Sequence, residues 1–110
     1  MESIQPKLIR VREVLDVQPF RIIGRWSNGD VRVNDFTNDI VRWQKNQNSY
    51  LAQLAKPEIF RTAFVLSGTI AFAGVLVDTG DMGLQPLDLD PDVLFAESKK
   101  LEQPINEPVS

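Results

Sequence analysis

The sequence predicts an α+β fold: a mainly antiparallel sheet of about five strands, made from two hairpins, with a short central helix and a C-terminal helix packed on one face. Three observations predict it. Asn28-Gly29 sits between the apolar runs "FRIIGRW" and "VRVND" and supplies the two positive-φ residues of a tight hairpin turn. "FRTAFVLS" and "TIAFAGVLV" form a second β-rich pair meeting at Ser67-Gly68. "DPDVLFAESKK" (90 to 100) opens with Asp90 as N-cap and Pro91 at the first helical position, and closes on two lysines, as a helix should.

The elements follow in order. "KLIRVREVLDV" (7 to 17) is rich in β-branched and apolar residues and predicts a first strand, ending near Gln18-Pro19. With Asn28 and Gly29 as a two-residue loop, Trp26 pairs with Val31 and Arg25 with Arg32. Period-2 alternation then puts Phe20, Ile22, Trp26, Val31 and Val33 on one face, with Arg21, Arg25 and Arg32 on the other. Trp26, sharing a face with four apolar residues, is expected to be a core anchor. "DFTNDIVRWQKNQN" has weak periodicity and reads as a loop or an incomplete helical turn. "SYLAQLA" (49 to 55) reads as a short helix capped by Ser49 or Asn48 and stopped by Pro57. Tyr50, Leu51, Leu54, Ile59 and Phe60 are expected to cover the sheet's apolar face. "DTGDMG" ends the second hairpin. One domain over residues 1–100 is expected, with "LEQPINEPVS" (101–110) as a mobile tail.

Composition narrows the chemistry. The 110 residues carry 12 basic and 15 acidic side chains, a net charge of -3, so no global positive field exists to hold a polyanion. Residues 88–110 hold six acids and two bases, which leaves the rest of the chain near +1. Without cysteine or histidine there is no thiolate nucleophile, no imidazole base and no zinc set of the usual kind. No cofactor is implied. "MESIQPKLIR" lacks the apolar core of a signal peptide, and no run approaches the ~18 apolar residues of a membrane span. A cytoplasmic location is the expectation.

The order of motifs resembles a bacterial family known as domain of unknown function 2442. Its members look like strands with "F-x-(D/N)-G" turns, then "f-x-x-L-x-x-(P)-E-x-F", a strand pair around "G-T-I", and a closing "D-L-x-P-D-x-L-(Y/F)". Here these are "RWSNGDVRVND", "YLAQLAKPEIF", "SGTIAF" and "LDLDPDVLF", spanning roughly residues 7 to 98 in that order. Trp26 replaces the frequent Phe, and "VLVDTGDMGL" replaces a shorter polar loop. The resemblance implies a small α+β domain and supplies no catalytic residues to carry over.

Two candidate sites remain. Asp78 lies in "LVDTGD", similar to the catalytic loop of retroviral-type aspartic peptidases, where two aspartates share a proton. "IIGR" (22 to 25) matches their second signature, yet here it precedes the Asp-Thr-Gly, and Asp81 adds charge where a small neutral residue is expected. Turn chemistry accounts for the same residues. "DLDPD" lacks the glycine and glutamate of a calcium loop, with Val93 and Lys99 at those positions, so helix capping explains its acids. The second candidate is a possible binding face: Arg10 and Arg12 alternate on strand one as Arg21, Arg25 and Arg32 do on the hairpin. Five of seven arginines would then share one sheet face. A solvated face whose long stems cover apolar surface is the simpler and favoured explanation, and no aromatic lies among them to stack bases.

The reading is a small non-catalytic protein-binding or adaptor domain with a protein partner. The alternatives are a nucleic-acid-associated regulator using the arginine face and, more remotely, an aspartic peptidase through Asp78. A homo-oligomer is compatible with the sequence, and no membrane is implied.

Overall fold

The computed structural model describes residues 8–46 and 49–101, and within them the α+β class holds. The strands form two sheets rather than one of five strands. Strands β1 (Val11–Gln18), β2 (Arg21–Trp26) and β3 (Val31–Asp35) form the first sheet. Helix α1 (Thr37–Gln44), a 3-10 helix (Tyr50–Ala55) and the one-turn α2 (Pro57–Phe60) follow. Strands β4 (Ala63–Leu66), β5 (Thr69–Asp78) and β6 (Leu84–Asp88) make the second sheet. Helix α3 (Pro91–Glu97) and the two-residue β7 (Lys99–Lys100) return the chain to the first sheet, in the order β1-β2-β3-β7. All the pairings are antiparallel.

The first hairpin forms where expected, but its turn is of another type. The Gly29 amide donates to the Trp26 carbonyl at 2.9 Å, and the Trp26 amide donates to the Asp30 carbonyl at 2.8 Å. The loop therefore has three residues, Ser27 to Gly29. Gly29 alone takes positive φ, at 92°, while Asn28 does not and instead accepts the Asp30 amide through its side chain. The true primed turn is at Ser67-Gly68, with φ of 52° and 82°. One extra loop residue shifts the register: Arg25 faces Val31, Gly24 faces Arg32 and Ile23 faces Val33. Because side chains alternate, this single step turns every β3 residue to the opposite face. Arg32 and Asn34 point inward beside Trp26, and Val31 and Val33 point outward.

The inward face meets the helices and the second sheet. Trp26, Ile22, Leu54, Phe60, Ile70 and Phe72 are almost fully buried in one cluster that spans both sheets. Phe60 is its hub, with ring centroids 5.2 Å from Phe20, 5.8 Å from Phe36 and 5.5 Å from Phe72. Truncating such a ring to alanine costs about 3–5 kcal/mol. As expected, the 3-10 helix and α2 cover the apolar face, although Tyr50 stays 43% exposed. The Val11 amide, donating to the Gly68 carbonyl at 2.8 Å, ties the two sheets at one end.

Several other expectations need correction. Residues 37–44 form a complete helix: Phe36, Ile40 and Trp43 recur at helical spacing over the core. Asp35 organises its start by accepting the Thr37 amide at 2.9 Å. Strand β6 lies after the DTGDMG turn, where no element was expected. It tolerates Pro86 because it is an edge strand. Helix α3 is capped by Asp90 as read from sequence, but ends at Glu97, and the two lysines form β7. Leu101, first residue of the expected tail, donates its amide to the Val31 carbonyl at 2.8 Å. Residues 102–110 of that tail lie outside the described residues.

Candidate functional site: a cleft beside α3 and an open sheet face

The five arginines do not share a face. Arg10 lies at the entrance to β1, reaching Asp92 of α3 at 3.2 Å while its stem covers Gly68. Arg12 is exposed at a bulge where β1 slips by one residue against β2. Arg21 and Arg25 point outward from β2. Arg32 points inward: its guanidinium sits 4.2 Å above the Phe95 ring and donates to the Ser98 hydroxyl and carbonyl and to Asp30. Phe95 in turn meets Trp26 edge-on at 5.1 Å. Arg32 thus binds α3 and β7 to the hairpin, with each of its three guanidinium nitrogens donating inside the protein.

The outward face of the first sheet is mixed rather than basic. Following the register, one row across it runs Gln18, Arg21, Asp35; the next runs Asp16, Ile23, Val33, Lys99; the third runs Glu13, Arg25, Val31. Glu13 accepts from Arg25 at 3.2 Å. The Asp35 carboxyl is held below the ordinary carboxylate range, first by the Thr37 hydroxyl and amide that donate to it and then by the nearby Arg21 and Lys99 charges. Asp30, on the inward side, is lowered chiefly by its bond to Arg32. Ile23, Val31 and Val33 are half-buried and stand apart from the core cluster, which confirms that they lie on the far side of the sheet.

Asp78 ends β5 on the surface. Its carboxylate accepts the Gly80 amide at 2.9 Å, the Thr79 hydroxyl donates to the Gly83 carbonyl at 2.8 Å, and the Gly83 amide closes on Gly80. The Asp-Thr-Gly motif is therefore an exposed turn between β5 and β6. Among the described residues no three metal-ligating acids come together.

A feature that was missed in the sequence is a cleft of about 190 Å³ between α1 and α3. Its floor and walls are Phe36, Trp43, Leu89, Val93 and Leu94. Asp39, Asp90 and Glu97 stand on the rim with one base, Arg42, which is already engaged by Asp39. Val93 is 49% exposed at the mouth, while Leu94 and Phe36 are buried at the base. The volume falls below the ~300–1,000 Å³ of small-molecule pockets and suits one large apolar side chain. A wider hollow of about 620 Å³ lies near Arg21 and Lys99, but charged and polar groups line it apart from Val33. The signal for the cleft was present as Phe36, Ile40 and Trp43 at helical spacing, with Leu89, Val93 and Leu94 around an acidic cap.

Fold and site define a small α+β domain with an apolar cleft under an acidic rim. No helix among the described residues is long and apolar enough to cross a membrane. The chain matches no protein-family model, no curated protein and no solved structure. The resemblance to the 2442 family therefore rests on the motif residues alone.

Proposed function

We propose that this protein is a non-catalytic protein-binding domain that takes an apolar side chain of its partner, flanked by basic residues, into the cleft between α1 and α3. The observation that carries this reading is the pairing of an apolar floor (Phe36, Trp43, Leu94) with a rim of three acids against one base. A buried anchor supplies affinity, and charge on the rim selects the partner and speeds its approach. A small cytoplasmic adaptor, the reading left by a chain without histidine or cysteine, fits that chemistry. The nucleic-acid alternative drew on five arginines sharing a face, and their dispersal removes that support. The peptidase alternative drew on Asp78, which sits in an ordinary surface turn.

The test is a pull-down from native cells with the full chain as bait, run beside Val93→Lys and Glu97→Lys. The wild type should retain a partner that both variants lose, at unchanged melting temperature. Retention of the same partner by both variants, or of nucleic acid in its place, would overturn the reading.

A further inference from the structure

We propose that the outward face of the first sheet, uncovered among the described residues, packs against a second copy of this chain, face to face, about a twofold axis parallel to the strands. The face is self-complementary along two of its three rows; in the third, Glu13, Arg25 and Val31, the same axis sets Arg25 over Val31. Such an axis lays β1 over β7 of the other copy and β2 over β3, and it keeps each row in register with itself. The row Asp16, Ile23, Val33, Lys99 then stacks on its own reverse: Asp16 over Lys99, and Ile23 over Val33, twice each. The row Gln18, Arg21, Asp35 does the same, with Arg21 over Asp35. An apolar centre is closed between charges of alternating sign. Stacked sheets lie about 10 Å apart, a gap these side chains span.

A nucleic acid would meet as many acids (Glu13, Asp16, Asp35) as bases (Arg21, Arg25, Lys99) on this face, so no net positive charge is there to hold it. An unrelated protein would have no reason to reproduce the row order that a second copy supplies by symmetry. Four strands at about 4.8 Å spacing and about five residues of length give a flat footprint of roughly 300 Å² per copy, small beside a standard interface. An interface this small makes a weak dimer that forms only at high protein concentration. The apolar floor of the cleft lies on the sheet's other side and stays free in such a dimer, although Glu97 of its rim also borders the hollow beside Arg21 and Lys99.

Sedimentation equilibrium of the full chain, up to about 1 mM and at low salt, tests this independently of the cleft. The wild type should show reversible dimerisation. Asp16→Lys and Lys99→Asp should each weaken it at least about tenfold, because each reverses two symmetry-related contacts. Mixing the two single variants should restore dimers that neither forms alone, since every lysine then meets an aspartate. A monomer throughout the range, or a mixture no more associated than its components, would overturn the proposal. Retention of the partner by both cleft variants, which overturns the cleft reading, would leave it standing.

Discussion

Replacing Arg32 by methionine isolates what the hairpin register does for stability. Under a two-residue turn, Arg32 and Arg25 would be facing neighbours on one solvated surface, and losing either would matter equally little. In the structure, Arg32 is a strut: its guanidinium lies over Phe95 at 4.2 Å and donates to Ser98 on the far side of α3. Hydrogen bonds from a charged donor contribute about 1.5–3 kcal/mol, and a partly shielded cation–π contact about 1 kcal/mol. Methionine recovers some apolar contact, so the net cost is about 2–3 kcal/mol. For a domain of this size that lowers the melting temperature by about 8–12 °C. Arg25→Met removes only an exposed pair with Glu13, with side chains 49% and 57% accessible, and should cost less than about 1 kcal/mol. Urea unfolding followed by tryptophan fluorescence measures both, and unchanged slopes would confirm that only stability has moved. Equal, small losses in the two variants would refute the inward placement of Arg32 and, with it, the three-residue loop.

Other outcomes follow from the same structure. Gly68→Ala should cost about 1–2 kcal/mol in a thermal melt, more than Gly29→Ala. Both hold positive φ, but a Cβ at Gly68 would come within 3.0 Å of the Arg10 stem, whereas Gly29 faces open space. Asp78→Asn should change stability by less than about 0.5 kcal/mol, because an amide oxygen still accepts from Gly80. Asp35 has a folded pKa below its unfolded value of about 3.9, so its contribution is fully present above that pH and is lost as pH falls through the lower folded value. Acid titration of Asp35→Asn should accordingly show a shallower loss of stability below about pH 4 than the wild type.

The sequence showed some elements clearly because their signals are local. Asp90-Pro91 starts α3 with its own side chain and ring, and Ser67-Gly68 makes a turn that needs no distant partner. Trp26 could be assigned to the core because its neighbours on β2 share its period. The register of β3 was not local. It depended on whether Asn28 would enter positive φ or spend its side chain on the Asp30 amide, and the second outcome sent Arg32 inward. The face of five arginines fell with that one residue. Helix α1 was obscured by polar residues between Phe36, Ile40 and Trp43, so the cleft they help to form was hidden too. Strand β7, only Lys99 and Lys100, has no propensity of its own and exists because Arg32 and Val33 offer it an edge.

The most direct test of the proposed function is where a captured partner touches the protein. Backbone amide shifts recorded by NMR, as the partner's binding segment is titrated in, should change at Phe36, Trp43, Leu89, Val93 and Glu97, with little change around Asp78. Shifts centred on the Asp78 turn, or on the outward residues Arg21, Ile23 and Val33 with the cleft silent, would contradict the account.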